Sequence, residues 1–164
     1  MSKVYSLKAV QVIPAGLEDA WNFFCDPKNL ARITPAQLGF KITGHRQSTM
    51  YAGQLIEYTV KPLFGIPLYW MTEITHVQQK EYFVDEQRFG PYAFWHHQHR
   101  FKQINNAVEM TDIVHYKIPF WFIGDLANAF IVKKKLRQIF EYRYKVIEEN
   151  YGVYNGKECF IELS

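Results

Sequence analysis

A chain of 164 residues is the size of one domain and long enough to bury a substantial core. Apolar residues make up 48% and aromatic residues 17%, which excludes disorder and leaves more rings than a small core needs, so some are expected to line a cavity. The net charge of +3 is mild and, apart from Lys133, Lys134 and Lys135, the basic residues are scattered, so no nucleic-acid footprint is drawn.

Residues 3–13 (KVYSLKAVQVI) read as a strand, stopped by Pro14-Ala15-Gly16. Leu17, Ala20, Trp21 and Phe24 follow at helical spacing until Asp26-Pro27, and a second short helix runs over residues 28–33 to Thr34-Pro35. Strands are then predicted from three alternations: Leu38, Phe40, Ile42; Ile56, Tyr58, Val60; and Trp70, Thr72, Ile74. Residues 81–89 make another, turning at Gly90-Pro91 into a hairpin. Gly124-Asp125 opens a long helix to about residue 150, capped by Asp125, with a stripe at Ala129, Val132, Leu136, Ile139, Phe140 and Ile147. The tail, residues 152–164, either adds a short edge strand or stays irregular. The N-terminus lacks the apolar core of a signal peptide, and the apolar run 118–123 is too short to span a bilayer. Cys25 and Cys159 form no paired motif, so a reduced cytoplasmic setting is expected.

The hairpin carries the functional signal. Its arms, AFWHHQHRFKQI and AVEMTDIVHYK, alternate around an Asn105-Asn106 turn, and a two-residue turn fixes the register. Phe101 then faces Met110, His99 faces Asp112, His97 faces Val114 and Trp95 faces Tyr116. The opposite face carries His96 and His115 among other polar groups. If odd-numbered residues of 81–89 share the inner face, Phe83, Asp85 and Gln87 join it. Two histidines and two carboxylates therefore lie among aromatic rings, and buried ionisable groups need partners or a job. Arg143, on the apolar stripe of the last helix, reaches for an internal carboxylate such as Asp112 or Glu73, or clamps an acidic ligand.

The order of elements resembles the START-like, polyketide-cyclase-like superfamily (SRPBCC), which also includes the major pollen allergens. Three segments look like one bacterial branch: IPAGLEDAWNFFCDPKNLARITP (13–35), VDEQRFGPYAFWHHQHRF (84–101), and DIVHYKIPF (112–120) with LRQIFEYR (136–143). Members of that branch are described mostly as ligand-binding or cell-division-inhibitor proteins, and some are fused to an epimerase-like domain that this sequence lacks. The resemblance implies an α+β helix-grip fold over residues 1–151: a curved antiparallel sheet of about six to seven strands around the long C-terminal helix, with two short helices after the first strand. It also implies a pocket between sheet and helix for a lipid, sterol or polyketide-like molecule.

Four readings fit the polar cluster. It is an internal network with His99 bonded to Asp112 and His97 to Asp85; a set of anchors in an apolar pocket; an acid–base pair, His99 and Asp112, of a cyclase-like enzyme; or a metal site on His97-x-His99 with Asp112 and Asp85. Binding is the function expected, through Tyr58, Trp70, Phe83, Asp85, Gln87, Trp95, His97, His99, Met110, Asp112, Val114, Tyr116, Leu136, Phe140 and Arg143. No metal and no cofactor is assigned. The expected partner is a small hydrophobic ligand, with no nucleic acid, membrane contact at most transient through the apolar loops 61–67 and 118–124, and an epimerase-like protein as a further candidate.

Overall fold

The computed structural model describes residues 3–44, 49–61, 65–119, 131–156 and 159–164. Residues 62–64 of the apolar loop 61–67 and 120–124 of the loop 118–124 lie outside these residues, as do Asp125 and Ala129, so the expected cap and first turn of the last helix are not described.

One antiparallel sheet of eight strands runs in the order β2-β3-β4-β5-β6-β7-β1-β8. Strand β1 (Tyr5–Ile13) stops at Pro14 and is followed by helices α1 (Leu17–Cys25) and α2 (Pro27–Arg32). Asp26 ends the first helix in an extended conformation and caps the second, its carboxylate accepting from the Lys28 N–H at 3.0 Å with Pro27 in the first turn. After a 3-10 turn at Ala36–Leu38 come β2 (Lys41–Gly44), β3 (Gln54–Val60), β4 (Leu68–Gln78) and β5 (Tyr82–Phe89). The hairpin of β6 (Phe94–Ile104) and β7 (Ala107–Lys117) leads toward helix α3 (Lys133–Tyr151), and β8 (Phe160–Leu163) closes the sheet.

Three expectations change. The strand read from Leu38, Phe40 and Ile42 begins only at Lys41, because Gly39 turns left-handed (φ 52°) and Leu38 sits in the 3-10 turn. The end of the tail is sheet: β8 pairs with β1, which would otherwise be an open edge. The strand count rises to eight accordingly.

The hairpin register is as read, with Phe101 opposite Met110, His99 opposite Asp112, His97 opposite Val114 and Trp95 opposite Tyr116. Asn105 supplies the positive φ (48°) that the two-residue turn requires. On the other side of β6, Phe83 faces His99 and Asp85 faces His97, which puts the odd-numbered residues of β5 inside. Register shifts near Thr72 and Ile74 bend β4 over β5, and such irregularities curve a sheet.

Helix α3 lies across the concave face over β1 and β8, burying Leu136, Phe140, Arg143 and Ile147. Polar ties fix it there: Gln11 Nε2 donates to the Tyr144 carbonyl at 2.9 Å, and the Tyr144 hydroxyl lies 3.0 Å from the Val10 carbonyl and 2.9 Å from that of Phe160. The core divides in two. One cluster joins α1 to β5, β6 and Ile147; the other joins Tyr5, Leu7, Val114 and Tyr116 to Leu136 and Phe140.

Candidate ligand-binding site

Because α3 covers the β7-β1-β8 side of the concave face, the β3-to-β6 side is roofed by α1 and α2, and a cavity of about 180 Å³ remains beneath them. Its floor is made by inward residues of four strands: Ile56, Tyr58 and Val60; Trp70, Thr72 and Ile74; Phe83 and Asp85; Trp95, His97 and His99. The roof comes from Phe23 and Phe24 of α1, Leu30 of α2, and Ile33, Leu38 and Phe40 of the connection to β2. Helix α3 closes one side with Leu136, Ile139, Phe140 and Arg143.

Of the residues read as ligand-contacting, Tyr58, Trp70, Phe83, Asp85, Trp95, His97, His99, Leu136, Phe140 and Arg143 line this cavity, and five do not. Gln87 turns back on its own strand end: its side chain donates to the Tyr92 carbonyl (2.7 Å) and accepts from the Tyr92 N–H (3.2 Å), pinning the Gly90-Pro91 turn. Met110 packs into the α1-side core. Val114 and Tyr116 belong to the solid cluster under α3. Asp112 lies behind the two histidines rather than on the wall. For Val114 and Tyr116 the physical cause is shared: this part of β7 runs under the helix, so its inward residues are filled over by helix side chains. The residues missed on β3 and β4 share the inward phase of Tyr58 and Trp70, a signal present in the sequence. Those of the roof are placed only by helix packing.

The polar cluster forms a seam between the two apolar cores. Along β7 it is Asp112, between Met110 and Val114; along α3 it is Arg143, between Phe140 and Ile147. The hydrogen bonds run crosswise rather than straight across. His97 Nε2 bonds Asp112 Oδ1 at 2.9 Å and His99 Nε2 bonds Asp85 Oδ2 at 2.9 Å, whereas the directly opposed contacts engage Nδ1. His97 Nδ1 lies 3.4 Å from Asp85 Oδ2, and His99 Nδ1 lies 2.9 Å from Asp112 Oδ1 without the alignment of a hydrogen bond. The correction is geometric: strands set opposed Cβ atoms so close that the far nitrogen of an imidazole reaches the diagonal neighbour. Arg143 Nη1 adds a bond to Asp112 Oδ1 at 3.2 Å, and its guanidinium lies 4.6 Å from the Phe140 ring centre. Glu73, the other carboxylate considered for Arg143, instead pairs with Arg88 on the outer face at 2.6 Å.

Protonation follows from these contacts. Burial pushes the Asp112 carboxyl up, but the Arg143 charge and the bonds from His97 and His99 win, holding it well below the usual carboxylate range. Asp85 is likewise lowered, burial being outweighed by the charges of His97 and His99 and the His99 bond. Burial and the neighbouring His99 depress His97, so its neutral form is favoured. For His99 burial is overcome by Asp112 and Asp85, which raise it, and its ring stacks on Phe83 at 4.1 Å. Two carboxylates are thus balanced by Arg143 and His99. Three buried nitrogens of cavity-lining residues have no aligned acceptor among the described residues: Trp70 Nε1, Arg143 Nε and His99 Nδ1.

The same groups have the composition of a metal site, since one ligating atom from each of Asp85, His97 and His99 lies within 4.8 Å of the others. Cys25 is buried away from the cavity wall, and burial pushes its thiol up to about 12, which leaves it without a nucleophile's character. Among the described residues no helix is long and apolar enough to cross a membrane.

No family model and no curated protein matches this sequence. Solved structures do. A START superfamily protein from Mycobacterium smegmatis superposes with a TM-score of 0.68 at 11% identity, over 90% of this chain and 97% of its own. Ginseng major latex-like protein 151 from Panax ginseng gives 0.65 at 13% identity, over 90% and 97% of the two chains. A protein from Chromobacterium violaceum gives 0.68 at 14%, over 91% and 98%. Near-complete coverage in both directions means that this chain shares the fold of these proteins, a START-like fold.

Proposed function

We propose that this protein binds one small, largely apolar molecule bearing an oxygen acceptor, held in the cavity between the β3–β6 floor and the α1–α2 roof. The observation that carries the reading is a largely apolar cavity whose ionisable lining residues are gathered in one seam, Asp85, His97, His99 and Arg143. Apolar walls with a few convergent polar groups are the usual make-up of a ligand pocket. Trp70 Nε1 and Arg143 Nε, buried nitrogens of cavity-lining residues, have no acceptor among the described residues, which calls for a carbonyl, carboxylate or hydroxyl oxygen on the ligand. Size narrows the class. At about 180 Å³ the cavity is close to the ~150 Å³ that accommodates benzene and below the ~300–1,000 Å³ of drug-sized pockets, so a one- or two-ring compound fits better than a sterol.

Acid–base turnover is the secondary reading. His99 touches the cavity while Asp112 stands behind it, so any proton transfer would run through His99, with the carboxylates positioning it.

Native mass spectrometry of freshly purified protein, with extraction of what co-purifies, identifies the ligand directly. Titration of one-ring acids, phenols and alcohols, followed by the fluorescence of Trp70 and Trp95, measures affinity. Ile74→Phe fills the cavity and is expected to weaken binding at least tenfold with the fold retained. Trp70→Phe keeps the ring, removes the donor, and should weaken oxygen-bearing ligands several-fold more than their hydrocarbon counterparts. If nothing co-purifies and no member of the panel binds wild type more tightly than the Ile74→Phe variant, the reading is wrong.

A further inference from the structure

His97 is held in an awkward position by its neighbours. Its Nε2 lies 2.9 Å from a carboxylate, which only accepts, so the proton of a neutral ring sits there and Nδ1 presents a lone pair. Asp85 Oδ2 lies 3.4 Å from that nitrogen, and no hydrogen bond joins them. A charge-assisted N–H···O bond is typically 2.7–2.9 Å, so the spacing is not that of a shared proton. Two lone-pair-bearing atoms this close, on residues that line the cavity, leave a place for a cation between them.

Further distances say what kind of cation suits the gap. Asp85 Oδ2 is also 2.9 Å from His99 Nε2. A cation with bonds of ~2.1 Å places its ligands about 3.0 Å apart at right angles and about 3.4 Å apart at the tetrahedral angle. The two measured edges, 2.9 and 3.4 Å, are the edges of such a polyhedron. One ligating atom from each of the three residues lies within 4.8 Å of the others, which keeps the third edge within reach of the same ion.

Behind the three ligating atoms the structure supplies what metal-bound histidines ordinarily have. Asp112 Oδ1 lies 2.9 Å from His97 Nε2 and 2.9 Å from His99 Nδ1, the two ring nitrogens that point away from the gap. One carboxylate oxygen thus accepts from His97 and lies within reach of the outer ring nitrogen of His99, the position of a group that orients metal-bound imidazoles. Arg143 Nη1, 3.2 Å from the same oxygen, keeps Asp112 from carrying an uncompensated charge.

From this geometry we infer that Asp85, His97 Nδ1 and His99 Nε2 form a binding site for a divalent transition-metal cation, with Asp112 and Arg143 as positioning residues. Two histidines and one carboxylate on one side leave the cavity side of the ion open. The dication with Asp85, Asp112 and Arg143 carries one net positive charge, so a ligand oxygen, preferably anionic, completes the coordination. This revises the sequence reading, which assigned no metal. It goes beyond the proposed binding of a small molecule and does not depend on it.

The test uses Co²⁺, whose visible spectrum reports coordination. Full-length protein stripped with a chelator is titrated with Co²⁺, and with Zn²⁺ and Mn²⁺ by calorimetry. The expected result is one equivalent bound, with d–d bands of a mixed nitrogen and oxygen environment. Asp85→Asn and His99→Gln should each weaken binding at least 100-fold, and Asp112→Asn about 10–100-fold. Glu86→Gln with His115→Gln, on the outer face beside His96, should leave it unchanged. Should a variant fail to fold, the paramagnetically shifted ¹H spectrum of the Co²⁺ wild type decides instead, since two exchangeable imidazole N–H resonances are expected. Absence of one-equivalent binding of any of the three cations below ~100 μM overturns the site. So does binding that survives Asp85→Asn and His99→Gln, or that is lost in the outer-face variant. Cavity occupancy is read separately, by the Ile74→Phe and Trp70→Phe variants, so the two proposals fail independently.

Discussion

Replacing Asp112 by Asn removes one charge from a site that is 3% exposed while keeping the shape of the side chain. The amide still offers one oxygen to His97 at 2.9 Å, but its nitrogen or neutral oxygen now faces the Arg143 guanidinium that was 3.2 Å from the carboxylate. Removing one partner of a buried ion pair costs about 3–5 kcal/mol, because the other charge is left without compensation. At ~2.1 cal/mol/K per residue a chain of this length loses about 3 °C per kcal/mol, so the melting temperature should fall by about 9–15 °C. Adding Arg143→Met removes the stranded cation and should recover about 2 kcal/mol, a non-additivity that a double-mutant cycle reads directly. Thermal and urea melts in the presence of a chelator keep metal out of the comparison. The sign with pH also follows. Asp112 has its pKa lowered on folding, so its contribution is full above the unfolded value of ~3.9 and is lost as pH falls toward the folded value. The gap between wild type and Asp112→Asn should therefore be widest from about pH 5 to 6, narrow as the solution is acidified, and narrow again as pH rises through the His99 value that Asp112 helps to raise. His99, raised on folding, contributes fully below about 6.5 and loses that contribution as pH rises through its folded value. A cost below about 1 kcal/mol, or an additive double mutant, would refute the view that Asp112 and Arg143 compensate one another.

Thiol titration of the native protein at pH 8 should modify Cys159 alone, because Cys25 is buried with its thiol pushed up to about 12; rapid labelling of both would contradict the packing of α1. Gln11→Ala should cost about 1–2 kcal/mol in urea melts by removing the bond to the Tyr144 carbonyl, and amide exchange in the middle of α3 should quicken while that in α1 stays unchanged. Deleting residues 157–164 takes away β8 and turns β1 into a bare edge. Sedimentation should show self-association of the shortened chain at concentrations where the full chain shows none, and equal behaviour of the two would mean that β8 does not protect the edge.

Much of this protein was legible in local sequence. Period-two alternation and the Asn105-Asn106 turn set the β6–β7 register, and with it the fact that His97, His99 and Asp112 share one face, because side-chain direction in a strand depends only on parity. Helical spacing and Pro27 marked the two short helices, and the stripe on α3 showed Arg143 among apolar neighbours. Where a residue's role depended on what lay above the sheet, parity was no guide. Met110, Asp112, Val114 and Tyr116 have the same inward phase as His97, yet they lie outside the cavity: Val114 and Tyr116 pack under α3, Met110 joins the α1-side core, and Asp112 stands behind the histidines. The roof residues carry no mark that distinguishes cavity wall from ordinary core. Even the partners within the seam were settled by distance between strands, which favours the diagonal reach of an imidazole over the straight one. Sequence determined which groups point inward, since that is a property of the backbone period. Only the tertiary structure decided which of them meet, and where packing leaves a space, since both depend on the helix and strands brought together from distant parts of the chain.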